Sequence, residues 1–178
     1  EQNLVIGHVG RFDAQKNHTF LLDIFSECVN IVPNARLLLV GDGEGRTQIQ
    51  EKAKSLGLEE KVIFTGVRND VADLLQAMDV FVFPSLYEGV PVTMIEAQAS
   101  GLPCVISDGV PKDCVITSGL VTSMKLSDRP CDWAKHIAAQ LNRKRENHLE
   151  EIQAAGYDIV TAAKELENFY LKKYGEES

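Results

Sequence analysis

Residues 4–29 read LVIGHVGRFDAQKNHTFLLDIFSECV, and this stretch decides the fold. Leu4–Val9 is a short apolar run, the pattern of a strand buried on both faces. A turn with Gly10, Arg11 and Lys16 follows. Thr19–Val29 then sets Phe20, Leu21, Ile24, Phe25 and Cys28 at helical spacing, and Pro33 closes the helix. Strand, glycine turn and amphipathic helix are the opening of a β–α–β unit.

Working outward, the same alternation repeats. Strands are expected at Arg36–Val40, Val62–Thr65, Val80–Phe83 and Cys104–Ser107. Helices are expected at about Glu44–Leu56, Val71–Met78 and Val92–Ser100. Gly57 and Gly101 suit two helix C-termini, and Pro103 stands just beyond the second. Past residue 108 the signal weakens to a strand over Gly119–Met124 and helices over Cys131–Asn142 and Ile159–Tyr170. Five buried strands separated by helices predict an α/β fold with a doubly wound parallel sheet, one domain spanning residues 1–178. Right-handed crossovers bring every strand's carboxyl end to one edge, where such sheets bind ligands.

The unusual residues gather at that edge. Arg11 and Lys16 straddle the turn after the first strand, and Gly10 lets a ligand approach the backbone. Charged hydrogen bonds make such cations suitable for phosphate, although both could be solvated surface groups. Glu88-Gly89-Val90-Pro91-Val92 leads into the helix that carries Glu96. Pro91 suits the first turn, and the unpaired amides at a helix N-terminus favour a phosphate or a sugar hydroxyl. Glu96 could accept hydrogen bonds from the vicinal diol of a ribose. The plainer alternative makes Glu88 a helix cap and Glu96 an exposed helix residue. Gly41-Asp42-Gly43-Glu44-Gly45 has the wrong spacing and the wrong strand for a dinucleotide fingerprint, so it reads as a tight turn.

Composition narrows the function classes. Of 178 residues 44% are hydrophobic and 25% charged, a globular balance, and the net charge of −8 argues against nucleic-acid partners. No apolar run reaches the roughly 20 residues of a membrane span. Cys28 and Cys104 fall in apolar patterns and read as buried free thiols, which favours a reducing cytoplasm. Cys114 and Cys131 form no Cys-x-x-Cys pair with them. His8, His18, His136 and His148 show no metal-ligand spacing, and there is no Asp-x-Asp motif, P-loop or Gly-x-Ser-x-Gly elbow.

Order and chemistry together are more specific than any one motif. Val9-Gly10-Arg11-Phe12-x-x-x-Lys16, Leu39-Val40-Gly41-Asp42-Gly43, Val62-Ile63-Phe64-Thr65-Gly66, Asp79 to Ser85, and Glu88-Gly-x-Pro-x-x-x-x-Glu96 running on to Pro103 resemble the C-terminal, donor-binding domain of retaining GT-B glycosyltransferases. More narrowly they are similar to family four, whose signature is the Glu-x-seven-Glu pair. Pro103 to Asp108 and Val110-Pro111-Lys112 are similar to bacterial exopolysaccharide or capsule transferases.

The resemblance implies a Rossmann-like half of a GT-B enzyme that binds a nucleotide sugar as donor, with UDP favoured over GDP or ADP. It implies that Arg11 and Lys16 hold the diphosphate and that Glu96 holds the ribose. Glu88 and the segment Gly89, Val90, Pro91 and Val92 would engage the transferred sugar and phosphates, while Val67 and Arg68 would face the base. Glu88, Arg11 and Lys16 are the candidate catalytic residues, and Gly10 belongs to the donor loop. No metal or other cofactor is implied. The N-terminal acceptor domain would lie outside these residues, so the chain alone is expected to be inactive, and the full-length enzyme could be peripheral to a membrane. Competing readings are half of a sugar-nucleotide 2-epimerase, a flavodoxin-like or receiver-type binding module, and a nicotinamide-binding domain. The paired glutamates and the Arg–Lys turn speak against the binding module, Glu88-Gly89-Val90-Pro91 in place of a His/Ser/Gly pattern against the epimerase, and the glycine spacing against the nicotinamide-binding domain.

Overall fold

A computed structural model describes residues 3–117 and 119–175. Its chain order is β1 (Leu4–Val9), α1 (His18–Ile31), β2 (Ala35–Val40), α2 (Arg46–Ser55), β3 (Val62–Gly66), α3 (Val71–Gln76), β4 (Val80–Phe83), α4 (Val92–Ala99), β5 (Cys104–Ser107), β6 (Val121–Met124), α5 (Pro130–Gln140), α6 (Leu149–Ala154) and α7 (Ile159–Gly175). The six strands form one sheet in the order β3-β2-β1-β4-β5-β6, and every pairing is parallel. The expected doubly wound α/β architecture is therefore present. The order turns around at β1, which pairs with β2 on one side and β4 on the other. The crevice between the loops that follow β1 and β4 is the topological switch point.

The sheet divides the core in two. Ile6, Leu37, Leu39, Val80 and Val82 face one way, against Leu21, Ile24 and Phe25 of α1 and Trp133 and Ile137 of α5. Val9, Val40, Phe81 and Phe83 face the other way, against Leu75 of α3 and Met94 and Ala97 of α4. Strands buried on both faces explain why their sequence runs are continuous rather than alternating.

Helices α2 and α6 differ from the sequence expectation, and α7 runs past Tyr170, its expected end, to Gly175. Helix α2 begins at Arg46, because the Gly45 amide is bound to the Phe12 carbonyl at 3.0 Å and the chain up to Gly45 belongs to the loop. Helix α6 has no counterpart in the sequence reading, since only Ile152 of its six residues is buried and its apolar signal is slight.

Candidate functional site

The loops after β1 and β4 are stitched across the switch point. The Leu86 amide donates to the Gln15 carbonyl at 2.8 Å, and Asn17 Nδ2 donates to the Pro84 carbonyl at 3.2 Å. Gln15 Nε2 reaches the Tyr87 carbonyl at 3.0 Å and Glu88 Oε2 at 3.1 Å. Asn17, at the N-cap of α1, adopts a left-handed φ of 55°, which asparagine tolerates better than most residues.

Lys16 and Glu88 meet inside this stitching. Lys16 Nζ stands 2.7 Å from Glu88 Oε1, with the two side chains 17% and 5% exposed. The ammonium also lies 4.9 Å from the centroid of the Phe83 ring, within cation–π range. Lys16 is therefore not a solvated surface cation. Nor does Glu88 cap the helix: the N-cap position of α4 is Pro91, and no side chain caps it. The first amides of α4 consequently keep their hydrogen-bonding capacity, with the positive end of the helix dipole behind them. Thr93 Oγ1 donates to the Val9 carbonyl at 3.4 Å and pins the start of α4 against the end of β1.

Among the described residues, none of the other expected site residues contributes a side-chain hydrogen bond to this pair. Gly10 closes β1, its amide bound to the Val40 carbonyl at 2.9 Å. Arg11 is exposed, and no hydrogen bond of its guanidinium is present among the described residues. Gly89, Val90 and Val92 are exposed, Pro91 is buried, and Glu96 is an exposed residue of α4. Val67 is 77% exposed, while Arg68 makes a two-pronged bond to Asp70 at 2.8 and 2.6 Å. A cleft of about 650 Å³ opens beside the β1 loop, lined by Arg11, Asp13, Asn17, His18, Glu44 and Gln48 among others. Of the expected donor residues only Arg11 borders it, so this cleft and the Lys16–Glu88 pair are separate features of the edge.

The glycine turn after β2 is a scaffold. Gly41 has φ 133°, and a Cβ there would sit 2.1 Å from the Gly10 carbonyl oxygen. The Phe12 amide donates to the Asp42 carbonyl at 3.0 Å. The loop thus holds the backbone of Gly10–Phe12, in keeping with the tight-turn reading.

Several residues with no sequence-level signal shape the site. Gln98 is fully buried on α4; it donates to the Cys114 carbonyl at 2.8 Å and accepts from the Ile116 amide at 2.8 Å and the Thr117 amide at 3.2 Å. It fastens α4 to the segment before β6. His8 and His18 are buried beneath the β1 loop. Burial pushes the His8 imidazole well below its usual range, with His18 and Lys16 adding to the shift. Burial, then Lys16, lowers His18 to about 4. Cys28 and Cys104 are buried free thiols, and burial pushes Cys28 up to about 12. Among the described residues no group of three or more His, Cys, Asp or Glu could hold a metal ion. No helix among them is long and apolar enough to cross a membrane.

This sheet and its switch point define the Rossmann-like α/β fold of GT-B glycosyltransferase structures. The superposition on sucrose-phosphate synthase from Thermosynechococcus elongatus has a TM-score of 0.82 at 23% identity, covering 98% of this chain and 46% of that one. That on Anabaena HepE in complex with UDP has a TM-score of 0.79 at 24% identity, covering 96% and 49%. The chain belongs to the glycosyl transferases group 1 family, whose model matches residues 3–143. It is 42% identical over 170 residues to EpsF of Bacillus subtilis (strain 168), covering 94% of this chain and 44% of EpsF. It is 33% identical over 160 residues to the Vi polysaccharide biosynthesis protein VipC/TviE of Salmonella typhi, covering 86% and 28%. The chain therefore spans less than half the length of these curated relatives.

Proposed function

We propose that the chain binds a nucleotide sugar, a UDP-sugar in the first instance, as the donor half of a retaining, metal-independent glycosyltransferase acting on a glycan or lipid-linked acceptor. The observation that carries this reading is the Lys16–Glu88 pair at the β1/β4 switch point, beside the uncapped N-terminus of α4. The UDP bound in the HepE structure and the polysaccharide role in the name of the Salmonella relative support the choice of donor and product class.

In this reading Lys16 exchanges Glu88 for the donor diphosphate, and the exposed Arg11 swings onto it. The amides of Gly89, Val90 and Val92 meet the sugar and phosphates, Glu96 accepts from the ribose hydroxyls, and Val67 and Arg68 flank the base. Glycosyl transfer leaves negative charge on the departing diphosphate. Two cations and a helix N-terminus placed there in advance stabilise that charge without a metal ion. Glu88, released from Lys16, is left facing the transferred sugar. An N-terminal domain in the remaining length of the full protein supplies the acceptor site.

Calorimetry with UDP, GDP and ADP, each in EDTA or Mg²⁺, tests the reading. The expected result is weak, metal-independent binding with UDP strongest; strict Mg²⁺ dependence, or no binding of any of the three, overturns it. Glu96→Ala is expected to weaken UDP and leave inorganic pyrophosphate unaffected. Equal loss of both would remove Glu96 from the ribose.

A further inference from the structure

The aromatic stack beneath the β1–α1 loop contains two imidazoles, His8 and His18. His8 lies 5.4 Å from Phe83 with the rings 25° from parallel, and meets His18 edge-on at 4.7 Å. His18 in turn lies flat on Phe12 at 4.1 Å. His8 is fully buried and His18 is 2% exposed. His8 Nδ1 stands 2.9 Å from the Val82 carbonyl oxygen, which can only accept, so Nδ1 carries the proton of the neutral ring. His8 Nε2 is then a bare lone pair. Among the described residues, neither it nor either ring nitrogen of His18 has a protein hydrogen-bond partner. Buried polar atoms are nearly always satisfied, and phenylalanine at both positions would avoid the penalty. An ionisable ring is what these positions have in place of it.

The stack lies directly under the anion-binding loop. A Cβ added at Gly10 would stand 2.9 Å from His8 Nε2, and 3.2 and 3.3 Å from Cγ and Cδ of Lys16. That imidazole edge therefore lies next to Gly10 and beside the stem of Lys16, at the base of the loop. The charged groups facing the pair are Lys16 and Asp13 on the same loop, and Arg11 and Glu44 around the cleft that His18 borders. From β4, His8 meets only the Val82 carbonyl and the rings of Phe81 and Phe83, and its neighbour across β2 is Leu39. Neither strand brings an ionisable group to it.

We propose that His8 and His18 are positioning residues of the 10–16 loop that together take up one proton when a nucleoside diphosphate binds there. The proposal rests on the donor-site reading. Without ligand, burial and the nearby Lys16 ammonium keep both rings neutral. A bound diphosphate reverses the sign of the local field, and an imidazolium beneath it becomes favourable. The proton comes from solvent and stays on the ring. Because the ligand raises the pair's affinity for a proton, the proton raises the affinity for the ligand by the same factor. Sign and window follow: the gain is absent above the raised, ligand-bound pKa and grows as pH falls toward the depressed, free-state value. A diphosphate gains charge as it leaves, so the same response is larger in the transition state than in the ground state.

Histidine-selective NMR of the chain, titrated from about pH 8 to 5 with and without UDP in EDTA, reads the pair directly. UDP is expected to move the titration of His8 or His18 upward. Calorimetry over the same range compares wild type with His8→Phe/His18→Phe, since UDP's own phosphate titrates there too. The ratio of wild-type to variant affinity is expected to rise about tenfold for each pH unit over which one proton is fully taken up. UDP that binds with the imidazole titrations unmoved, or equal pH profiles for the two proteins, overturns the proposal alone. UDP that binds at no pH overturns the donor reading and this proposal with it. If the double variant does not fold, the wild-type NMR titration decides.

Discussion

Lys16 and Glu88 are 72 residues apart in sequence and 2.7 Å apart in space. Each was legible as a candidate, because a lysine after a strand–glycine turn and a glutamate before a helix are chemistry-bearing residues in ligand-binding loops. Their contact was not legible, because spacing along a chain carries no information about which loops the sheet order makes neighbours. His8 and His18 were less legible still. Nothing in a lone histidine within an apolar run tells whether its nitrogens are satisfied. The pair also carries a stability prediction. With Glu88 only 5% exposed, Lys16→Ala leaves a carboxylate in a desolvated site with Gln15 as its remaining polar contact. The variant is expected to lose about 2 kcal/mol in urea unfolding, less than a fully buried pair because Lys16 keeps some exposure. Glu88→Gln added to Lys16→Ala should restore about half of that. Additive losses in the cycle would show that the two groups do not interact energetically.

At the scale of elements, the first 108 residues announced themselves clearly, while in the tail the weaker signal gave β6, α5 and α7 but not α6. Strands β1, β2, β4 and β5 are largely buried on both faces and therefore read as unbroken apolar runs, whereas β3 at the sheet edge is buried only at Val62. Helix α1 buries Leu21, Leu22, Ile24, Phe25 and Cys28 and shows a clear stripe. Beyond α5 few apolar residues are buried, Leu141 and Ile152 among them, and polar contacts, to which hydrophobic periodicity is blind, add to the anchoring. Arg145 shows how. Its Nη1 donates to Gln76 Oε1 at 2.9 Å and to the Ser100 carbonyl at 3.1 Å. Its Nη2 donates to the Leu75 carbonyl at 2.7 Å, the Gln76 carbonyl at 3.2 Å and the Met78 carbonyl. One guanidinium thus satisfies the carbonyls at the C-terminal end of α3 and ties them to the end of α4, the helix whose N-terminus borders the Lys16–Glu88 pair. Arg145→Ala is expected to cost about 2–3 kcal/mol, the scale of losing charge-assisted bonds to partly buried carbonyls. Arg145→Lys should recover little of it, because an ammonium lacks the planar fork that spans several acceptors. A thermal-unfolding midpoint unchanged by Arg145→Ala would make the clamp energetically idle.

At the scale of the whole molecule, α7 is the element that this domain does not account for. Leu166, Phe169, Tyr170, Leu171 and Tyr174 are each more than half exposed along it. Phe169, Tyr170 and Tyr174 contact one another rather than the sheet. The simplest expectation for a terminal amphipathic helix, that it packs on its own sheet, is not what the structure has. An apolar surface of this kind marks a contact with something else. The chain spans 44% of the length of EpsF and 28% of VipC/TviE, so a longer protein would hold ample surface to receive it. The donor reading gives that surface a purpose. Transfer needs the acceptor beside the anomeric carbon in a closed cleft from which water is excluded, and one domain cannot close a cleft on itself. The chain alone is therefore expected to bind UDP but to turn over no UDP-sugar, with any acceptor, faster than the buffer does. In a monomeric sample, amides across 166–174 should exchange close to unprotected rates, and they should slow when the remainder of the protein is supplied on the same chain. Release of UDP above the buffer rate by the isolated chain would break the link between activity and the second domain. Strong exchange protection of 166–174 in the isolated monomer would mean that α7 finds its partner within this domain after all, and the helix would no longer point to a missing neighbour.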